Sequence, residues 1–291
     1  MILDTIVRRT EIEKGWSGDK KFCAVTADGQ KYLLRISSLE RQARKKREFE
    51  KMQLVSKLGI PMCLPVEFGI CDEGVYMLLS WVTGEDAETV IPTLLPQQQY
   101  KYGLEAGQIL RKIHTIPAPA DTPDWENRFN SKIDREIDMY MKCPLKYENG
   151  DVILLFLAEN RHLLHGRPQS YQHGDYHIGN MMLDTNNQLT IIDFDRDDYG
   201  DPWEEFNRIV WCAQCAPFFA TGMVDGYFNG KVPSEFWKLL ALYICSNTLS
   251  SLPWAIPFGE DEVAIMRKQA SQVLFWYRNL QNVIPKWYNK P

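Results

Sequence analysis

The stretch from Tyr171 to Pro202, YQHGDYHIGNMMLDTNNQLTIIDFDRDDYGDP, constrains this chain more than any other. Two apolar runs, NMMLD and LTIID, flank the polar TNNQ and read as a short β-hairpin. His173, Asp175 and Asn180 come just before the first run or at its start. Asp193 and further acids close the second. A carboxylate beside an apolar strand is costly unless it has a partner. A divalent cation with phosphate oxygens is one such partner.

The first eighty residues read as strands with one helix. KKFCAVTADGQKYLLRIS is a pair of β-rich runs around Asp28-Gly29, a strong hairpin signal. In the second run Tyr32, Leu34 and Ile36 alternate with Leu33 and Arg35, which puts Arg35 on the opposite face. SLERQARKKREFEKMQLVSKLGIP carries helix formers and stops at Gly59 and Pro61. GVYMLLSWVTG reads as a buried strand ending at Gly84. Beyond it the texture turns helical: Tyr102, Ala106, Ile109, Leu110 and Ile113 follow a 3.6-residue period. Further helices are expected over 127–142 and 152–165, and from Trp203 onward. The expected plan is α+β, with a β-rich lobe over residues 1–83, a hinge near 80–84, and a mainly helical lobe over 84–291.

Composition narrows the function classes. The chain has 291 residues, 45% of them hydrophobic, nine Trp and a net charge of −5, which suits a globular core and gives no bulk attraction to nucleic acid. No membrane partner is expected, because no apolar run reaches the ~20 residues a spanning helix needs. Seven Cys, an odd and scattered set, read as reduced thiols in the cytoplasm. The Cys212-x-x-Cys215 pair lacks a second pair at zinc-ribbon spacing. His162 and His165 likewise read as ordinary helix histidines.

Several residues carry candidate chemistry. Phosphoryl transfer needs a carboxylate to take the proton of the attacking hydroxyl. It also needs oxygen ligands that hold Mg²⁺ against the phosphates. Asp175 suits the first role, and Asn180 with Asp193 suits the second. The alternative, Asp/Asn turn residues on a hairpin, does not account for the H-G-D-x-x-x-x-N spacing. Gly15 and Gly18 in EKGWSGDKKF could admit backbone N–H groups to a phosphate, or could serve a plain turn. Arg35 needs a carboxylate or phosphate if buried, with Glu48 on the next helix as one candidate. Otherwise it is a strand-edge Arg with its head in water. The basic run RQARKKR reads as a solvated helix face.

HGDYHIGNMML, IIDFDRDDYGDPWEEF, LRKIHTIP, REFEKMQLVSKLGIP and LLSWVTGED together resemble the aminoglycoside phosphotransferase and choline kinase family, whose fold is protein-kinase-like. The resemblance runs from about Glu13 to Phe206. It implies Asp175 as catalytic base, Mg²⁺ on Asn180 and Asp193, and ATP or GTP as donor. It further implies nucleotide contacts from Gly15, Ser17, Gly18, Arg35, Glu48, Ser80 and Val82. Arg35 stands where protein kinases place a Lys, and no A-P-E activation segment follows Asp193, which favours a small acceptor over a protein.

The acids after Asp193, among them Asp198, Glu204 and Glu205, suggest a cationic acceptor held by charge-assisted hydrogen bonds. An aminoglycoside is the first expectation, with Trp203, Trp211 and Trp254 as possible ring faces. A kinase of choline, a sugar or an amino alcohol is the alternative. A nucleotide-binding regulatory module is a rival of another class, against which Asp175, Asn180 and Asp193 are all intact, and a protein serine kinase is weaker for want of an activation segment.

Overall fold

The Asp28-Gly29 turn forms as its residues require. Gly29 takes φ +86°, and the Thr26 N–H donates to the Gln30 carbonyl at 3.0 Å. The structure, a computed structural model, describes residues 1–13 and 18–291. The early strands are β1 (Ile6–Glu11), β2 (Lys20–Thr26), β3 (Lys31–Ser37), β4 (Pro65–Cys71), β5 (Gly74–Ser80) and β6 (Gly84–Asp86). The later strands are short: β7 (Ser170–Gln172), β8 (Met181–Asp184), β9 (Leu189–Ile191) and β10 (Asp198–Gly200). The helices are α1 (Gln42–Ser56), α2 (Ala87–Val90), α3 (Pro96–Ile113), α4 (Trp125–Lys142) and α5 (Gly150–Asn160). They continue with α6 (Ile209–Cys215), α7 (Pro217–Phe228), α8 (Ser234–Ala255) and α9 (Glu260–Trp276).

Two compact units result. The first joins Met1–Ala87 to Asn180–Asp197; the second joins Glu88–Gly179 to Asp198–Pro291. In the first unit an antiparallel sheet runs in the order β1-β2-β3-β5-β4. Leu34 and Ile36 of β3 pack with Ala24, Tyr76 and Leu78 on one face, and Arg35 points to the other. α1 packs on β4 and β5, burying Lys45, Glu48, Phe49, Met52 and Val55 along one stripe. β5 is buried at every position but its last, as a central strand should be, and it stops at Ser80 rather than at the expected Gly84.

The first unit is not continuous in sequence. β6 pairs with β8, Gly84 opposite Asp184, and β8 pairs with β9. The Cys63 N–H also donates to the Ile191 carbonyl at 3.1 Å. A boundary at residue 84, set where strand texture gives way to helix, therefore leaves β6, β8 and β9 with the helical lobe, whereas the first compact unit gathers them with the early strands. The hairpin at 181–191 belongs with the early strands for the same reason.

In the second unit α3 and α7 lie against each other at backbone distance. A Cβ on Gly107 would sit 2.1 Å from the Met223 carbonyl oxygen, and one on Gly226 2.2 Å from that of Leu104, so only glycine fits at this crossing. α8 and the turn after it, Ser234–Phe258, are long and apolar enough to cross a membrane, which the run-length reading of the sequence missed. Most of that stretch is buried, and α8 packs against α4, α5 and α9, so it serves as a core helix here. Trp125, Phe129 and Tyr243 form a ring cluster, with the Trp125 indole N–H donating to the Tyr243 hydroxyl at 3.0 Å.

Candidate active site

In the first unit the site begins where β9 ends. The Ile192 N–H donates to the Asn180 carbonyl at 3.0 Å, which sets Asn180 beside the residue preceding Asp193. Asp193 takes φ +65°, a left-handed conformation that costs a non-glycine residue energy and turns up at functional sites. The next residue, Phe194, is buried and anchors the segment. Asn180 and Asp193 offer an amide and a carboxylate, an all-oxygen pair that fits a hard cation such as Mg²⁺.

Arg35 is only 3% exposed, which overturns the reading of an edge residue with its head in water. Its guanidinium gathers carboxylates that are far apart in sequence. Nη1 lies 3.2 Å from Asp193 Oδ1, and Nη2 lies 2.8 Å from Asp195 Oδ2 and 2.9 Å from Asp19 Oδ2. Burial opposes its charge, but Asp193, Glu48, Asp195 and Asp19 outweigh burial and hold the guanidinium even more firmly protonated than usual. Glu48, the expected partner, stands back at 3.8 Å from Arg35 Nη1. Its closer cation is Lys45, one turn earlier on α1, at 2.8 Å. Burial pushes the Glu48 carboxyl up, against the pull of Lys45 and Arg35.

Asp19 is the residue the sequence reading missed here. It is buried, accepts from the Ser37 hydroxyl at 2.6 Å and pairs with Lys45 at 2.7 Å. Burial alone would raise its carboxyl, yet hydrogen bonds from Lys45 and Ser37 and the charge of Arg35 bring it down to about 2. Gly18, next to it, is exposed, and a Cβ there would lie 3.2 Å from Arg41 Nη1. Gly15 and Ser17 lie outside the described residues. Ser80 and Val82 are half-buried at and just after the end of β5, and the Ser80 hydroxyl accepts from the Leu64 N–H at 2.7 Å.

In the second unit Asp175 stands three residues beyond β7. Gly174 turns the chain with φ +84°, and the Asp175 N–H donates to Nδ1 of the fully buried His173 at 3.3 Å. The Asp175 carboxylate is mostly buried and lies 3.7 Å from His177 Nε2 and 3.3 Å from Arg208 Nε. Glu205 props the loop from beneath: its Oε1 accepts from the Gly174 N–H at 2.9 Å, and its other oxygen lies 3.7 Å from His114 Nε2.

That position corrects one expectation. Glu205 is 1% exposed and committed to the loop backbone, so it is not placed to hold an acceptor. Glu204, its neighbour, pairs with Lys132 at 3.1 Å and accepts from the Gln172 amide at 3.2 Å. Asp198 has a side chain 62% exposed, with Arg128 Nη1 at 3.5 Å. Asp201 is fully buried, bound by Arg167 through Nε at 2.6 Å and Nη2 at 3.0 Å and by the Tyr243 hydroxyl at 2.6 Å. Trp203 packs on Phe228 and Phe236 with the Arg167 guanidinium 3.9 Å from its ring centroid. Trp211 is half-buried, and Trp254 packs against Phe258.

The remaining candidates sit in ordinary surroundings. Cys212 is buried on α6 and its Sγ accepts from the Ile178 N–H at 3.3 Å; burial pushes the Cys212 and Cys215 thiols up, away from thiolate chemistry. Among the described residues no cluster of three or more His, Cys, Asp and Glu is arranged to hold a metal on its own. His162 lies 3.1 Å from a backbone carbonyl, and His165 lies 2.7 Å from Glu126.

Comparison with known proteins follows the same lines. No curated protein matches the chain. Among solved structures, a thermostable mutant of aminoglycoside phosphotransferase APH(4)-Ia, in a ternary complex with ADP and hygromycin B, superposes with a TM-score of 0.67 at 15% identity. That match covers 94% of this chain and 96% of the other. The GDP complex of a mutant aminoglycoside 2′-phosphotransferase-IIIa gives 0.67 at 14% identity, with coverages of 96% and 94%. A choline/ethanolamine kinase family protein from Mesorhizobium loti gives 0.61 at 18%, with coverages of 94% and 92%. These likenesses identify the fold as the mixed α+β, kinase-like phosphotransferase fold. Residues 8–237 match the family described as "Phosphotransferase enzyme family", and the chain belongs to that family.

Proposed function

We propose that this chain is a small-molecule kinase that moves the γ-phosphoryl group of ATP or GTP to an acceptor hydroxyl. The observation that carries the reading is the backbone bond from the Ile192 N–H to the Asn180 carbonyl, which brings Asn180 to the segment that carries Asp193 and the buried Phe194. Asn180 and Asp193 would hold Mg²⁺, which when bound neutralises charge on the phosphates. Arg35 fixes the Asp193 carboxylate from behind, with Asp195 and Asp19 on the same guanidinium. Asp175 takes the proton of the acceptor hydroxyl as the new P–O bond forms, and Glu205 keeps its loop in shape through the Gly174 N–H. Gly15, Ser17, Gly18, Ser80 and Val82 are the proposed nucleotide contacts. The free cysteines suit a reducing compartment, so a cytoplasmic location is part of the proposal.

An aminoglycoside acceptor draws its support from the family and from the hygromycin B complex of a structural neighbour. A second reading, a kinase of a metabolite that is not a polycation, is favoured by the internal pairing of the acids. Asp198, Asp201 and Glu204 each have a basic partner, and Glu205 serves the loop backbone. Nucleoside diphosphate release from the purified chain with Mg²⁺ and ATP or GTP tests both readings. The panel is hygromycin B, choline, neutral sugars, sugar acids and a generic protein. Release above background with at least one small acceptor is expected. Phosphorylation of the protein alone would sink the small-molecule reading.

A further inference from the structure

The 3-10 turn Glu204–Arg208 repeats every three residues, so Glu205 and Arg208 project along one side of it. Both reach the loop that carries Asp175. Glu205 takes the Gly174 N–H, and Arg208 sets its Nε 3.3 Å from Asp175 Oδ1. That Nε is buried and makes no hydrogen bond of acceptable geometry, and Asp175 is the one ion-pair partner of Arg208 among the described residues. A guanidinium has five N–H donors in a planar fork suited to carboxylate or phosphate oxygens. Arg208 is therefore a cation with unused donor capacity, next to the proposed base.

We propose that Arg208 selects the acceptor, receiving a carboxylate or phosphate group of the same small molecule whose hydroxyl faces Asp175. The proposal rests on the kinase reading of Asp175 and names the class of acceptor within it. An ammonium group near Asp175 would meet the Arg208 charge at close range. The acids that could have held that ammonium are already engaged: Glu204 by Lys132, Asp201 by Arg167, and Asp198 by Arg128. A hydroxy acid or a sugar phosphate meets the opposite situation, since its anion meets a guanidinium that is partly exposed and has Asp175 as its one ion-pair partner among the described residues. A purely positioning Arg208 would instead hold the Asp175 carboxylate and be indifferent to the charge of the acceptor.

Matched acceptors separate these roles on the full-length chain with Mg²⁺ and nucleotide. Gluconate and glucose 6-phosphate are compared with glucose, glycerate with glyceramide, and hygromycin B serves as the cationic arm. The expected result is a kcat/KM at least ~10-fold higher for an anionic member than for its neutral counterpart. Arg208→Gln should raise the KM for that anion at least ~10-fold and erase the preference, while the KM for nucleotide stays within about twofold. Arg208→Lys should restore part of it. A wild-type preference for glucose or hygromycin B, or an equal loss for all acceptors in Arg208→Gln, overturns the proposal. Calorimetric titration of gluconate and glucose 6-phosphate into the nucleotide-bound chain decides the matter if none of these is turned over. Binding lost in Arg208→Gln supports the proposal, and no binding, or binding that survives the substitution, overturns it. Failure of the kinase reading looks different: the purified chain binds neither ATP nor GTP with Mg²⁺, so there is no nucleotide-bound form to titrate.

Discussion

The charges around Arg35 and the charges around Asp201 solve the same problem in different ways. Arg35 pools carboxylates from three segments, Asp19 before β2, Glu48 on α1, and Asp193 and Asp195 after β9, with Lys45 as a second buried cation. In the second unit the acids are served singly: Asp201 by Arg167, Glu204 by Lys132, Asp198 by Arg128. A pooled network has more carboxylate than guanidinium, which leaves Asp193 oxygen capacity for a metal. A dedicated pair leaves nothing over, and its work is to hold the chain. The loop that carries Asp175 draws on both designs, with Glu205 dedicated to the Gly174 N–H and Arg208 shared with Asp175.

The largest effect is expected where chemistry depends on one group. Asp175→Ala should cut turnover by about 10²- to 10⁴-fold, the span for loss of a general base, with nucleotide affinity nearly unchanged. Turnover against acceptor and equilibrium binding of nucleotide, measured on one preparation, check this. Near-normal turnover removes Asp175 from the mechanism.

Breaking a dedicated pair comes next. Asp201→Ala leaves Arg167 mostly buried without its carboxylate, and removes an acceptor from the Tyr243 hydroxyl and the Trp203 N–H. Removing one partner of a buried pair costs about 3–5 kcal/mol, so urea unfolding should register a loss of that size. A loss below about 1 kcal/mol would mean the pair is no more than a surface contact.

The pooled network should reveal itself through pH. The Asp19 carboxyl is brought from 3.8 down to about 2, so its contribution is fully present above 3.8 and disappears as pH falls through about 2. The shift is worth about 2 kcal/mol. Asp19→Asn should therefore be less stable than the parent chain at neutral pH, by an amount that shrinks between 3.8 and about 2. Parallel urea titrations across that window measure the gap. A gap that ignores pH would show that Asp19 acts through packing and not through charge.

Much of this fold is legible in the residues, and the reasons for the rest are physical. The Gly29 turn, the apolar β5 and the hairpin at 181–191 each depend on local conformation or on period, which neighbouring residues reveal. Asp19 has no such signal, because its partners Arg35 and Lys45 are 16 and 26 residues away and meet it only in the folded sheet and helix. Lys45 stands in the run RQARKKR, whose density of charge suggests solvent, yet it is buried against Glu48 and Asp19, and Arg41 of the same run also reaches Asp19 at 3.5 Å. Glu204 and Glu205 are adjacent and alike in sequence. A 3-10 turn sends successive side chains about 120° apart, so one faces Lys132 and the other the Gly174 N–H. No property of an isolated acidic dipeptide says which is which.

That last distinction yields the smallest expected effect. The sequence reading made Glu204 an acceptor contact, so Glu204→Gln ought to raise the KM for a cationic acceptor. The structure gives Glu204 to Lys132 at 3.1 Å and to the Gln172 amide at 3.2 Å, and Gln in its place keeps an acceptor oxygen for Gln172. Lys132 is partly exposed and can turn its ammonium to water, so the lost attraction is that of a partly solvated ion pair, about 0.2–1 kcal/mol. The substitution should lower stability by no more than that and leave the KM for hygromycin B, or for whichever acceptor is turned over, within about twofold. A several-fold rise in KM with unchanged stability would return Glu204 to the acceptor and make Lys132 its rival. The contrast with Asp201 would then be one of function against scaffold, and not of weak pair against strong.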